Sequence, residues 1–153
     1  MKKAFLLMAF LSVNAFASDW AMFDATDDIE VLVDLKSITQ DGPFRKAWFL
    51  YNFNKPQSRD SSPALFQSII TLEYVSCAKR KAGISRVIYF LKQNGAGKAD
   101  SSSLDIADID FEEVVPGSGG EAQLDFLCSY GPYPVSTDGN SILPENPMQV
   151  ESI

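Results

Sequence analysis

Few side chains in this chain could do chemistry, and their spacing argues against most reactions. There is no histidine, which removes Ser-His-Asp and Cys-His nucleophilic sites and the commonest zinc ligand sets. Ser76-Cys77-Ala78-Lys79 has the S-x-x-K form of a serine nucleophile beside a lysine. Its partner motifs S-D-N and K-T-G are missing, and the segment closes a strand instead of opening a helix. Gly95-Ala96-Gly97-Lys98 resembles part of a phosphate loop, but the G-x-x-x-x-G-K-[ST] spacing fails because Ala99 follows Lys98. It reads as a hairpin turn. Asp105, Asp108, Asp110, Glu112 and Glu113 form an acidic run. An EF-hand needs a glycine at its sixth position and a glutamate at its twelfth, and neither is there, so the run reads as a solvated edge. No pair of carboxylates stands out for glycoside hydrolysis. The expectation is a protein that is not an enzyme, with no cofactor and no metal site.

The remaining groups point to export and binding. Lys79-Arg80-Lys81, with Arg86, is the one basic cluster in a chain of net charge −7. It reads either as a solvated turn whose charge discourages edge pairing or as a patch for an acidic or sulfated partner. Lys79, Arg80, Lys81 and Arg86 are therefore the candidate partner-binding residues. Cys77 and Cys128 follow a segment with the form of a secretory signal. In it Lys2 and Lys3 precede about ten apolar residues, Ala4 to Val13, and Ala15-Phe16-Ala17 is a small-residue cleavage site. The apolar run is too short to span a bilayer, and no later stretch approaches the roughly 20 residues a membrane helix needs. Residues 1–17 are read as a signal peptide, with no membrane insertion after cleavage. No cysteine stands at the cleavage site to take a lipid, so the mature chain is expected in the periplasm or secreted, with surface display left open. An oxidising compartment favours a Cys77–Cys128 disulfide. It would close a loop of about 50 residues, worth on the order of 4 kcal/mol in the chain-entropy view. The acidic balance excludes nucleic acid and anionic lipid as partners of the overall field.

These residues need elements to position them. Trp20 to Phe23 is a short apolar start, and Ile29 to Asp34 is strand-like. Asp34 to Ile38 is a turn or one helical turn. Asp41-Gly42-Pro43 is hairpin punctuation. Phe44 to Phe53 reads as a long aromatic strand, and Asn54 to Pro63 as an exposed loop. Gln67 to Cys77 follows as a strand, with Ile70, Leu72 and Tyr74 on one face and Ile69, Thr71, Glu73, Val75 and Cys77 on the other. Ala82-Gly83 is read as the next turn. Ile84 to Lys92 is a further strand, with Ile84, Ile88 and Phe90 sharing a face. Asn94 to Gly97 is a turn, and 101–103 continues polar. A short strand is expected within Ile106 to Val115. Ser118-Gly119-Gly120-Glu121 has the form of a capping box. Leu124, Leu127 and Cys128 then line one face of a helix that Gly131 can end. Residues 132–153, interrupted by Pro132, Pro134, Pro144 and Pro147, read as a flexible acidic tail. The fold class expected is α+β: an antiparallel sheet of five to six strands with a C-terminal helix tethered to one face by the disulfide. Both faces of the aromatic strand are apolar, so the face without the helix must meet a dimer mate, a ligand or the tail.

A family pattern runs through the same residues. Trp20, Asp34-x-x-Ser37-Ile38, Trp48 and Lys55-Pro56 come in order. Ser68, Cys77, Arg80, Tyr89, Asn94-Gly95, Val115-Pro116-Gly117-Ser118 and Cys128 follow. The span 18–131 resembles the surface-adhesin protein E family of Gram-negative bacteria. That resemblance implies a six-stranded antiparallel sheet with a disulfide-tethered C-terminal helix, a homodimer, and binding of host extracellular-matrix proteins. The lead expectation is an exported, non-enzymatic binding domain. The alternative is a periplasmic structural or accessory protein with no adhesin role.

Overall fold

The computed structural model describes residues 18–59, 62–97 and 99–130. Residues 1–17, read above as a signal peptide, Gly131, and residues 132–153, read as a tail, lie outside the described residues. Among the described residues eight strands form one antiparallel sheet: β1 (Trp20–Ala25), β2 (Ile29–Asp34), β3 (Thr39–Asp41), β4 (Phe44–Arg59), β5 (Ser62–Ser76), β6 (Lys81–Phe90), β7 (Ala99–Ser103) and β8 (Glu112–Glu113). The strand order is β1-β2-β4-β5-β6-β7, with β3 paired to β4 and β8 to β6. Helix α1 (Gly119–Ser129) lies on one face.

The count of five to six strands is corrected to eight. Two of the extra strands, β3 and β8, have three and two residues, too few for any alternation to register. β7 is Ala-Asp-Ser-Ser-Ser at the sheet edge, where no apolar side chain is required. The expected loop at Asn54–Pro63 is also corrected, since strand structure runs through Arg59 and resumes at Ser62. Register shifts between Asn52 and Arg59 loosen the ladder there, and an irregular ladder tolerates Pro56. Near this hairpin, the Phe66 ring meets Phe53 and Tyr89, and the Arg59 guanidinium lies 4.2 Å over the Tyr89 ring.

The turn after β5 is Cys77–Arg80, not Ala82-Gly83. Arg80 takes the left-handed conformation the turn needs, at φ 50. Gly83 pairs with Tyr74 inside β6, and it is glycine because the chain crosses over it. A Cβ there would sit 2.4 Å from Ile109 Cγ2 and 3.0 Å from the Asp110 carbonyl. A one-residue slip follows: Glu73 pairs with Ile84 but Leu72 with Arg86. Such a bulge reverses the alternation, so Ile84 joins Glu73's face and not that of Ile88, contrary to strict alternation.

The Asp34-x-x-Ser37 pattern is a folding device. Asp34 Oδ1 accepts from the backbone N–H of Lys36 and of Asp19, and the Ser37 hydroxyl donates to the Asp34 carbonyl at 2.6 Å. The same hydroxyl accepts from Trp48 N at 2.8 Å, which fastens a 3-10 turn over Leu35–Ser37 to β4. Ser118 caps α1, accepting from Glu121 N, while Glu121 reaches back to Gly117 N at 2.8 Å. The reciprocal arm thus lands one residue upstream of the usual capping box. Leu124 and Leu127 are buried against Val31, Val33, Ala47, Phe49 and Val75, which is the core. Cys77 and Cys128 are joined in a disulfide with Cα atoms 5.7 Å apart. Cys77 lies just past the end of β5, exposed in the turn, so the tether joins the helix to the sheet's rim.

Candidate functional site

Paired residues of adjacent antiparallel strands share a face, so the register locates the face that α1 leaves uncovered. Met22, Leu32, Leu50, Ile70 and Ile88 form one row across β1, β2, β4, β5 and β6. Trp48, Leu72 and Arg86 form the next. Leu50 is buried, Met22 is 45% exposed, and Leu32, Trp48, Ile70, Leu72 and Ile88 are half-buried. Arg86 is exposed at the side of this strip.

The chain itself covers both ends of the strip. At one end the turn after β6 folds inward. Asn52 and Asn94 exchange two hydrogen bonds, of 2.9 and 2.7 Å, and the Ser68 hydroxyl donates to the Lys92 carbonyl and accepts from Gly95 N. Gly95 has φ +66 and passes so close that a Cβ would lie 3.1 Å from Ile70 Cδ1. At the other end Phe111 stacks on Phe44 at 4.6 Å, Ile109 is buried, and Lys46 pairs with Asp41 at 2.6 Å. The Tyr74 hydroxyl donates to the same Asp41 oxygen. Lys46 holds the Asp41 carboxyl below its ordinary range, with Tyr74 adding to the effect.

The four basic residues do not form one patch. Lys79 is exposed in the turn. Arg80 spans two helix carboxylates, with Nη1 to Asp125 Oδ1 at 2.8 Å and Nη2 to Glu121 Oε1 at 2.7 Å. Asp125 and then Glu121 raise its pKa further. Lys81 opens β6, half-buried, with Nζ 3.5 Å from the Phe111 carbonyl. Arg86 stands five residues further along β6, roughly 16 Å away. Of the S-x-x-K residues, Ser76 is buried at the end of β5 and Lys79 is in the turn. Among the described residues no three or more acidic or cysteine side chains gather to hold a metal ion.

Two buried polar groups escaped the sequence reading. Arg45 is buried and donates from Nη2 to the Tyr130 carbonyl just beyond α1, where a cation suits the helix dipole. Glu73 is buried beneath α1 and accepts from the Tyr51 and Thr71 hydroxyls. The signal for Glu73 was present: it is the one carboxylate on the face of β5 that also carries Ile69, Thr71 and Val75.

Crystal structures of protein E from Haemophilus influenzae share this fold. One matches with a TM-score of 0.55 at 13% identity, covering 75% of this chain and 91% of that one. Another, from a non-typeable strain, gives 0.53 at 12% identity over 76% and 80%. Identity this low shows the fold alone. No curated protein sequence matches. No helix among the described residues is long and apolar enough to cross a membrane. The family profile for surface-adhesin protein E matches residues 20–129, a span that runs from the first residue of β1 to the last of α1, and the chain belongs to that family.

Proposed function

We propose that the chain is an exported, non-enzymatic binding domain whose open sheet face takes an extracellular protein of the matrix class. Membership in a surface-adhesin family supports an exported or surface protein and a protein partner. The observation that carries the reading is the half-exposed strip of Met22, Leu32, Trp48, Ile70, Leu72 and Ile88, with Arg86 at its side. An apolar strip with a charged rim is the anatomy of a protein-binding surface. Lys79 and Arg86, which make no ion pair among the described residues, supply the cations for an acidic or sulfated partner; Arg80 is occupied by the helix. The reading includes cleavage of the signal over 1–17; a homodimer through the same face is the competing reading. That dimer would leave the Lys79 turn and the loops, not the strip, to a partner.

The test is binding of the chain from residue 18 onward to a panel of immobilised matrix glycoproteins. Leu72→Asp is expected to weaken capture at least tenfold, and Lys79→Glu with Arg86→Glu to weaken it in a salt-dependent way. Wild-type capture by no member of the panel, or capture unchanged in Leu72→Asp, overturns the proposal. Light scattering at low and high concentration reads the dimer, and protease added to intact cells reads surface display against a periplasmic location.

A further inference from the structure

Helix α1 sits on a chain of hydrogen bonds that ends on a buried acid. Gln123 Nε2 donates to the Tyr51 hydroxyl at 2.6 Å, and Tyr51 donates to Glu73 Oε1, also at 2.6 Å. Thr71 Oγ1 donates to the same oxygen at 2.8 Å. The helix is thereby joined through β4 to a carboxyl group buried in β5.

Among the described residues no cation pairs with Glu73; Arg45, on the same face of β4 beside Val75, turns to the Tyr130 carbonyl. Tyr51 faces it from β4 and Thr71 from β5. In β6 its cross-strand partner is Ile84, and in β4 it is Ala47. The helix contributes the neutral Gln123, while Glu121 and Asp125 turn to Arg80. Arg86 of β6 pairs with Leu72 and so stands on the opposite face. A buried carboxylate without a positive partner is costly, and such a group holds its proton instead. Burial accordingly raises the Glu73 pKa, with the Tyr51 and Thr71 hydroxyls opposing the rise.

We propose that the Gln123–Tyr51–Glu73–Thr71 chain is a proton-controlled latch for α1: protonated Glu73 holds the helix on the sheet, and ionised Glu73 lets it lift while the Cys128 tether keeps it attached. Besides this chain, the N-terminal half is held by Leu124, buried in the core, and by exposed ion pairs from Arg80, which are weak fastenings. The tether and the Arg45–Tyr130 contact lie at the other end. Lifting solvates Glu73 and returns it to ordinary carboxyl acidity, so opening releases a proton. The seated state is therefore favoured at low pH. It loses ground as pH rises from the ordinary carboxyl value through the raised one, by at most about tenfold per pH unit for a single proton.

The experiment is amide exchange across α1 in the disulfide-closed chain between pH 4.5 and 8, expressed as protection factors. Protection in the wild type is expected to fall with rising pH, and in Glu73→Gln to stay level. Tyr51→Phe removes a donor to the ionised form, so the fall should begin at the same pH but run on to higher pH; this variant keeps the proposal testable should Glu73→Gln fail to fold. Carbon-detected titration of the Glu73 carboxyl should give a midpoint above its model-peptide value. Level wild-type protection, an unchanged slope in Glu73→Gln, a Tyr51→Phe fall whose upper limit stays or moves down, or an ordinary Glu73 midpoint would each overturn the latch.

Discussion

The two faces of the sheet are made from the same strands, yet they are finished differently. In β4, Ala47 and Phe49 point under the helix and are fully buried; Trp48, one residue away, is half-exposed on the other side. Both faces are rich in apolar side chains. What separates them is the cover: α1 with its disulfide on one side, and two short crossings at the ends of the strip on the other. Composition alone cannot distinguish a core face from a docking face when both are apolar. The crossing segments, 93–95 and 109–111, define the open strip by where they stop.

Core packing gives the largest effect and the most direct way to break this contrast. Phe49→Ala deletes a buried ring that meets Phe23 edge-on and should cost about 3–5 kcal/mol. Leu72→Ala on the open face should cost about 1 kcal/mol, because less area leaves water there. Chemical denaturation of both variants checks the pair. Equal losses would mean that the open face is covered in solution, and a Leu72→Ala loss that grows with protein concentration would identify a second copy as the cover.

An intermediate effect is expected where the open face is closed by the chain itself. Gly83→Ala places a methyl against Ile109 and the Asp110 carbonyl. The backbone oxygen cannot swing aside as a side-chain tip would, so the 109–111 crossing must shift, at about 1–3 kcal/mol. The Phe44–Phe111 stack and the β6–β8 pairing should loosen with it, visible as ring-current shifts at Phe44. A variant of wild-type stability with an unmoved Phe44 would show that the crossing is not held in place by this contact.

How far the sequence revealed these faces depended on the range of the signal. The core helix was legible because Ser118, Glu121, Leu124 and Leu127 act within a few residues of one another. The disulfide was expected from two cysteines behind a segment read as an export signal, and it is there. Strands β4, β5 and β6 showed through their alternation, but their ends did not: the ladder runs past Pro56, and Gly83 marks a close crossing where local rules suggest a turn. A crossing is a contact between residues far apart in the chain, and no local pattern encodes it. The same limit hid the roles of Glu73, bound by Tyr51 of β4, which Gln123 of the helix holds in turn, and of Arg45, bound to Tyr130 just beyond the helix. The basic residues were legible in the sequence, but what holds Arg80 was not, since its carboxylate partners are 41 and 45 positions away. Several residues of the family pattern, among them Asp34, Ser37, Ser68, Arg80, Asn94 and Ser118, hold turns, caps and crossings together. Their order therefore reports the fold more directly than it reports a ligand.

The smallest effect should come from Arg80 itself. Its two ion pairs are exposed and open to screening, while the disulfide and the buried leucines already hold α1. Arg80→Ala should lower the melting temperature less than either Phe49→Ala or Gly83→Ala, and the difference from wild type should shrink as salt is added. In a chain whose disulfide has been removed by Cys77→Ser and Cys128→Ser, the same substitution should matter more, because the ion pairs then carry a larger share of the helix's attachment. Equal Arg80→Ala effects with and without the disulfide would show that the two fastenings act independently, leaving the clasp as surface decoration on a face already closed.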